Sequence, residues 1–303
     1  MGKCNALWNK CGRPKSAEVI KGILNCSLSL PCPTRWNSLH DALVLLLKHR
    51  QKLHEVMQTL ELPVLKNAEL EFIEEYVSVL APIAVAIDHL QGEEHMYYGQ
   101  FLPTLLTVQK KLRELKFKTL KHCTPLLQAV SQGFQKRFDK YLQLHDCPDV
   151  PDAVLAATTH PFFKLRWIDI NKEWNRESRV TSLKSDFISS APSFHSPLRN
   201  TSPTKEASSS EDEYFGFEKS PASESTVEMQ VMTYLNDSEK SIISLKRHPL
   251  ILKMFRRYNT TLPSSAPVER LFSLAGLTLP PHRNRLSDKT VEQLLLLRSN
   301  RRN

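Results

Sequence analysis

SLHDALVLLLKHRQKLHEVMQTL, residues 38–60, is the stretch that decides the fold class. Leu39, Leu43, Leu46, Leu53, Val56, Met57 and Leu60 recur three and four residues apart, which places them along one face of a helix. Ser38 stands as the expected N-cap with Asp41 three residues on, so the spacing predicts one amphipathic helix over 38–60. The same period recurs over 69–90 through Leu70, Ile73, Val77 and Leu80, where Pro82 is expected to end or kink the helix. Two further helices are predicted, one over 101–115 and one around Leu127, Val130, Phe134, Phe138 and Tyr141. Four such faces can bury one another in a bundle-like core.

Composition points the same way. The chain of 303 residues holds 8 Gly beside 19 Pro, where an average composition of about 7% Gly would supply roughly 21. Little material is left for tight hairpins. The glycines, at 2, 12, 22, 92, 99, 133, 216 and 276, are too far apart for GxGxxG, a P-loop or GxSxG. The longest apolar run, Val79 to Ile87, is interrupted by Pro82 and falls far short of the ~18–20 residues of a membrane span, so no membrane partner is expected. MGKCNALWNKCGRPK, residues 1–15, has no apolar h-region, which gives no expectation of secretion. The six cysteines include no CxxC pair and read as reduced thiols, with no metal site expected.

Charge is unevenly placed. Residues 1–185 carry a net +6, residues 186–239 a net −7 and residues 240–303 a net +10, within an overall +9. A basic end after an acidic stretch suits a nucleic-acid or acidic-protein surface, although solvated helix faces explain many such imbalances. The acidic part lies within a Ser- and Pro-rich segment containing FHSPLRNTSPTKEASSSEDE and FEKSPASES. It holds too few aliphatic residues to offset its ordering entropy and is expected to be a disordered linker, assigned to 181–235, with Ser196, Ser202, Ser208 to Ser210 and Ser220 as phosphorylation candidates. Beyond it, helices are predicted over 249–258, 265–275 and from Ser287 onward, the last capped by Ser287 with Leu286 and Val291 as a hydrophobic staple. Val291 to Leu297 is apolar nearly all round, so this helix must be buried by the chain or by a partner.

Several motifs approach chemistry and miss it. His54, Glu55 and Gln58 give HExxQ where a zincin needs HExxH. Glu71, Glu74 and Glu75 read as a solvated helix face. Lys110, Lys111, Arg113, Lys116, Lys118 and Lys121 could track phosphates or simply form a basic helix surface.

Two stretches carry a family resemblance: PCPTRWNSLHDALVLLLKHRQKL, residues 31–53, and LPSSAPVERLFSLAGLTLPPHRNRLSDKTVEQLLLLRSN, residues 262–300. Together they closely resemble the C-terminal half of hAT-superfamily transposases, which ends in that family's dimerisation region. AATTHPFFKLRW, residues 156–167, is similar to the family's Leu-Asp-Pro-Arg-Phe-Lys-Leu segment, with His160 and Phe162 in place of Asp and Arg.

The resemblance implies a mainly α chain: a helical insertion-type domain plus an incomplete C-terminal fragment of an RNase H-like α/β core. Residues 1–37 would be a remnant of that core, 38–180 the insertion, 181–235 the linker and 236–303 the dimerisation region. A few strands are allowed near Asn25 to Leu30 and Thr226 to Tyr234. Family enzymes use two Asp and one Glu to hold divalent metal, normally Mg. Glu269 corresponds to that Glu, and Arg35 and Trp36 to the TRW motif that meets DNA. Trp36 could stack on an unpaired base or merely pack the start of a helix, and Glu269 could be a helix-start carboxylate held by backbone N–H groups and Arg270. Both Asp lie upstream of TRW in the family, yet residues 1–34 contain no Asp. Glu269 alone cannot hold two ions about 3.5–4 Å apart, so it is expected to be vestigial, with no cofactor and no catalysis.

The leading expectation is a nuclear, transposase-derived protein that dimerises with itself or related chains through Leu271, Phe272, Leu294, Leu295 and Leu297. Two rivals stay open. One is a residual DNA-binding module using Arg35, Trp36, Arg283, Arg285 and the basic tail; the other is a transposase fragment completed by another chain.

Overall fold

The structure, a computed structural model, describes residues 1–32, 35, 37–92, 96–145, 147, 149–191, 226–278 and 286–300. Thirteen α-helices run through the described residues, with no strand among them. In chain order they are α1 (Gly2–Cys11), α2 (Pro14–Leu24), α3 (Ser38–Lys48), α4 (Arg50–Thr59), α5 (Asn67–Leu90), α6 (Phe101–Lys116) and α7 (Thr124–Gln143). There follow α8 (Asp149–Thr159), α9 (Arg176–Ser190), α10 (Val227–Asn236), α11 (Pro249–Asn259), α12 (Ala266–Thr278) and α13 (Asp288–Asn300). The chain divides into two compact units, one of residues 1–96, 104–145 and 263–303, the other of residues 97–103 and 146–262. Residues 1–32, within the segment expected as a remnant of an RNase H-like core, form two helices whose Cys4, Leu7, Trp8, Ile20 and Leu24 join the core of α3, α4 and α5.

In the first unit the predicted helix over 38–60 is two helices. α3 packs on α5, whereas α4 packs on α2, so one straight stripe cannot serve both neighbours. The break falls at His49, whose Nε2 lies 3.3 Å from Cys26 Sγ, and Lys52 Nζ ties α4 to the end of α2 by donating to the Ile23 carbonyl at 2.9 Å. Ser38 is not the N-cap. Its hydroxyl donates to the carbonyls of Cys32 at 2.5 Å and Arg35 at 3.0 Å, while Asn37 takes the cap position and donates to the Ala84 carbonyl at 2.8 Å and to Asp88 at 2.7 Å. The helix of 69–90 does not end at Pro82. That residue is buried inside the continuous α5, whose apolar packing offsets the missing donor.

α5 also supplies the acid that starts α7. Glu75 accepts the backbone N–H groups of Lys121 at 2.8 Å, His122 at 2.8 Å and Cys123 at 2.9 Å. Burial pushes its carboxyl up, but the three N–H donors outweigh that and hold it below the usual carboxylate range. Glu71 pairs with Lys121 at 3.1 Å and Glu74 with Arg50. The expected solvated acidic face is therefore a set of tethers between elements. Val79, Val108, Leu112, Leu115, Cys123 and Leu127 form the second core of this unit, joining α5, α6 and α7.

The second unit is built around α8, whose Val150 and Ala153 to Thr159 are all buried. The run of small residues lets α11 approach closely with Leu250, Ile251, Met254 and Phe255. Gly99 fits against the same helix, because a Cβ there would lie 2.4 Å from the Ala156 carbonyl oxygen. Asn259 closes the arrangement, its Oδ1 accepting from Gly99 N–H at 2.8 Å and its Nδ2 donating to the Ala156 carbonyl at 3.2 Å and to Thr159 Oγ1 at 3.1 Å.

Both ends of the expected linker are helical. Leu183 and Phe187 are buried in α9, and Val231 and Tyr234 in α10, while residues 192–225, with all the phosphorylation candidates, lie outside the described residues. The strand allowed over 226–234 is corrected by the same finding: Thr226 accepts from Met229 N–H at 3.3 Å, and Val227, Val231 and Tyr234 share one helix face. Residues 25–30 likewise contain no strand.

Glu75→Ala is expected to lower stability by about 1–2 kcal/mol, the usual cost of a lost helix-start acceptor. Glu74→Ala, which removes only an exposed ion pair, is expected to cost well under 1 kcal/mol. Urea unfolding of both variants checks this, and equal losses would show that the Glu75 bonds contribute nothing special.

Candidate functional site

The stretch SSAPVERLFS, residues 264–273, folds as the start of α12, and its polar residues serve as anchors. Ser264 Oγ donates to the Leu90 carbonyl at 2.9 Å, and the Arg270 guanidinium donates to the Gln91 carbonyl, which fixes α12 at the end of α5. Ala266 is buried on this side. Ser265 Oγ donates to Glu269 Oε1 at 2.8 Å and the Ser265 carbonyl accepts from Glu269 N–H at 3.0 Å, an arrangement of a helix first turn.

The other side of α12 is apolar and uncovered. Val268, Leu271 and Phe272 stand at the three-and-four spacing, all exposed, with Phe272 70% accessible. α13, packed on α12, has no buried residue. Its Val291, Leu294 and Leu295 are half-buried, whereas Leu296 and Leu297 are 57% and 64% accessible. Ser287 caps α13 as expected, its Oγ accepting from Thr290 N–H at 3.3 Å. Of the five dimerisation residues expected from sequence, Leu271, Phe272 and Leu297 are exposed on this pair of helices and Leu294 and Leu295 are half-buried. Val268 and Leu296 are further exposed apolar residues of the same two helices.

The other expected site residues are not brought together. Trp36, Arg283 and Arg285 lie outside the described residues. Arg35 is exposed, its carbonyl engaged by Ser38. Glu269 faces solvent with the Ser265 hydroxyl on its carboxylate, and among the described residues no three Asp, Glu, His or Cys side chains gather as a metal-holding group. The donor set at Glu269 thus does not fit the divalent ions of the family's enzymes.

The HPFFKLRW segment, residues 160–167, is structural. His160 is buried between the rings of Tyr97, Phe163 and Phe255, and its Nδ1 accepts from Phe162 N–H at 3.3 Å. Burial lowers its pKa to about 4. Lys164 Nζ, 4.8 Å from the centre of the Tyr234 ring, donates to the Asp237 carbonyl; burial lowers this amine, only partly opposed by Asp237. The Tyr234 hydroxyl donates to the Thr158 carbonyl at 3.1 Å, and burial raises its pKa well above the usual value. Asp237 is held down to about 2, chiefly by the hydrogen bond from His248 at 3.0 Å and also by Glu239 N–H and Arg247. His160, Lys164, Tyr234 and Asp237 each hydrogen-bond a neighbour, which is how buried polar side chains are tolerated, whereas Thr158 Oγ1 and Trp167 Nε1 are buried without a partner among the described residues.

Residues 212–301 match the family model of the hAT family C-terminal dimerisation region. The matched segment is similar to that dimerisation region and takes in α10 to α13. Comparison with curated proteins gave no match. Among the described residues no helix is long and apolar enough to cross a membrane.

The buried histidine sets an acid limit. Its folded pKa of about 4 lies below the unfolded 6.5, so the unfolded state binds the extra proton first as pH falls. Stability from this site is complete above pH 6.5, declines between 6.5 and 4 and is then constant, a loss of roughly 3 kcal/mol at most. His160→Asn, which keeps an acceptor for Phe162 N–H, is expected to flatten that slope in denaturant midpoints measured from pH 7.5 to 4.5. An unchanged slope would place the acid sensitivity elsewhere.

Proposed function

We propose that this is a transposase-derived, nuclear chain that acts by associating with a second copy of itself, or with related transposase chains, through the apolar face of α12 and α13. The observation that carries the reading is that face: Val268, Leu271, Phe272, Leu296 and Leu297 exposed on two helices of a segment that matches a dimerisation region. Burying such side chains releases about 1.5–3 kcal/mol each at full burial. Five of them are enough to offset a substantial part of the several kcal/mol that association costs.

In this reading α12 is held by Ser264 and Arg270 so that its outer stripe is presented in a fixed orientation, which lowers the ordering cost on binding. Glu269 acts as the first-turn partner of Ser265. A chain supplying the missing carboxylates would restore the alternative of a split transposase. It would have to approach Glu269 on the same helix that bears the apolar stripe, so the two readings compete for one surface.

The test is the solution mass of the intact chain and of Phe272→Asp and Leu297→Asp, by light scattering at moderate salt. Both positions are exposed, so the folds should survive, as helical circular dichroism would verify. The expected outcome is a dimer or defined larger assembly for the intact chain and a tenfold or greater rise in dissociation constant for each variant. An intact chain that stays monomeric at tens of micromolar would remove self-association.

A further inference from the structure

A second surface of the first unit is unlike α12 and α13 in every respect. Between α6 and α7 lies a cleft of about 510 Å³ lined by Arg113, Lys116 and Lys136, with the side chains of Gln128, Ser131 and Gln132. No carboxylate is among its lining residues. Its walls are joined by a relay, Gln109 Nε2 donating to Gln135 Oε1 at 3.0 Å and Gln135 Nε2 to Asp139 at 2.7 Å, which engages the one acid of α7. Ser131 Oγ is buried and has no hydrogen-bond partner among the described residues. The cleft thus gathers three cations, amides and an unsatisfied hydroxyl: groups that donate to phosphate oxygens.

The charge extends beyond the cleft. Residues 104–145 hold nine Lys or Arg against two Asp or Glu, a net of +7. That field suits a polymer of phosphates better than one small anion. Directly after the cleft residue Lys116 comes Phe117, which is 90% exposed, and then Lys118. A ring so placed contributes nothing to the core, and between two cations it is a platform on which a base can stack. Bases are available for stacking in an unpaired strand, not inside a duplex.

We infer that the α6–α7 cleft binds the phosphate backbone of a single-stranded nucleic acid, with Phe117 stacking on a base at its edge. Neither Arg35, Trp36 nor the basic tail takes part, and the binding does not depend on association through α12 and α13. Arg113, Lys116 and Lys136 each meet a phosphate; Ser131 and Gln132 add neutral donors. The interaction is backbone-led and therefore tolerant of sequence and steep in salt.

The experiment is fluorescence anisotropy of the full chain with labelled 20-nucleotide single-stranded DNA, the same sequence as RNA, and the DNA duplex, between 50 and 300 mM salt. Arg113→Gln/Lys116→Gln/Lys136→Gln is expected to weaken single-strand binding at least tenfold and to make the salt slope shallower by about 2, at ~0.7 for each phosphate no longer neutralised. Lys116→Gln/Lys136→Gln, at two exposed positions, should give an intermediate loss and guards against misfolding of the triple variant. Phe117→Ala should cost roughly tenfold on single strands and leave duplex binding within twofold. Comparing DNA with RNA identifies the preferred strand. Single-strand affinity within twofold of the original for the triple variant, or duplex binding tighter than both single strands, overturns the inference. Phe272→Asp, measured in parallel, should retain the binding; this keeps a failure of association distinct from a failure of the cleft.

Discussion

α12 has two faces that the chain treats differently. One face is tied down by Ser264 and Arg270 to the last carbonyls of α5. The opposite face carries Val268, Leu271 and Phe272 into solvent, and α13 packs alongside without burying any residue of its own. A free amphipathic helix would rotate its apolar side inward. The polar anchors oppose that rotation, because turning α12 would break the hydrogen bonds of Ser264 and Arg270 to the carbonyls at the end of α5. The exposed stripe is thus a consequence of where the polar residues of SSAPVERLFS must go.

The second unit shows the opposite arrangement, with several polar groups taken inside and hydrogen-bonded there. Asn259 serves Gly99, Ala156 and Thr159 at once, and Lys164, Tyr234 and Asp237 satisfy one another and nearby carbonyls. His160 replaces the charged Asp of the similar family segment with a ring that can stay neutral. That suits a cage formed by the rings of Tyr97, Phe163 and Phe255, where its Nδ1 accepts from Phe162 N–H.

Periodicity made α6, α7 and α11 legible, together with most of the residues they bury. It failed where the deciding contact is tertiary. The break at His49 follows from α3 and α4 having different neighbours, and no local feature of KHRQ announces it. VEMQVMTYL, residues 227–235, fits a strand through Val227, Met229 and Val231 as well as a helix through Val227, Val231 and Tyr234. The cap from Thr226 and the burial of Tyr234 select the helix. Glu75 looked like one of three solvated acids, since its partners lie more than forty residues away. At the C-terminal face the residue types were readable, but nothing in the apolar run distinguishes the half-buried Leu294 and Leu295 from the exposed Leu296 and Leu297.

The apolar face and the cationic cleft have complementary physical weaknesses. A single cleft with three cations binds a strand with an affinity that falls as salt rises, because each phosphate contact releases counterions. A single apolar face gives association but no reason for the complex to sit anywhere in particular. If two copies pair through α12 and α13 as proposed, two clefts lie on one particle, and a strand long enough to reach both gains an effective concentration set by the geometry of the pair, in addition to the affinity that each cleft has alone.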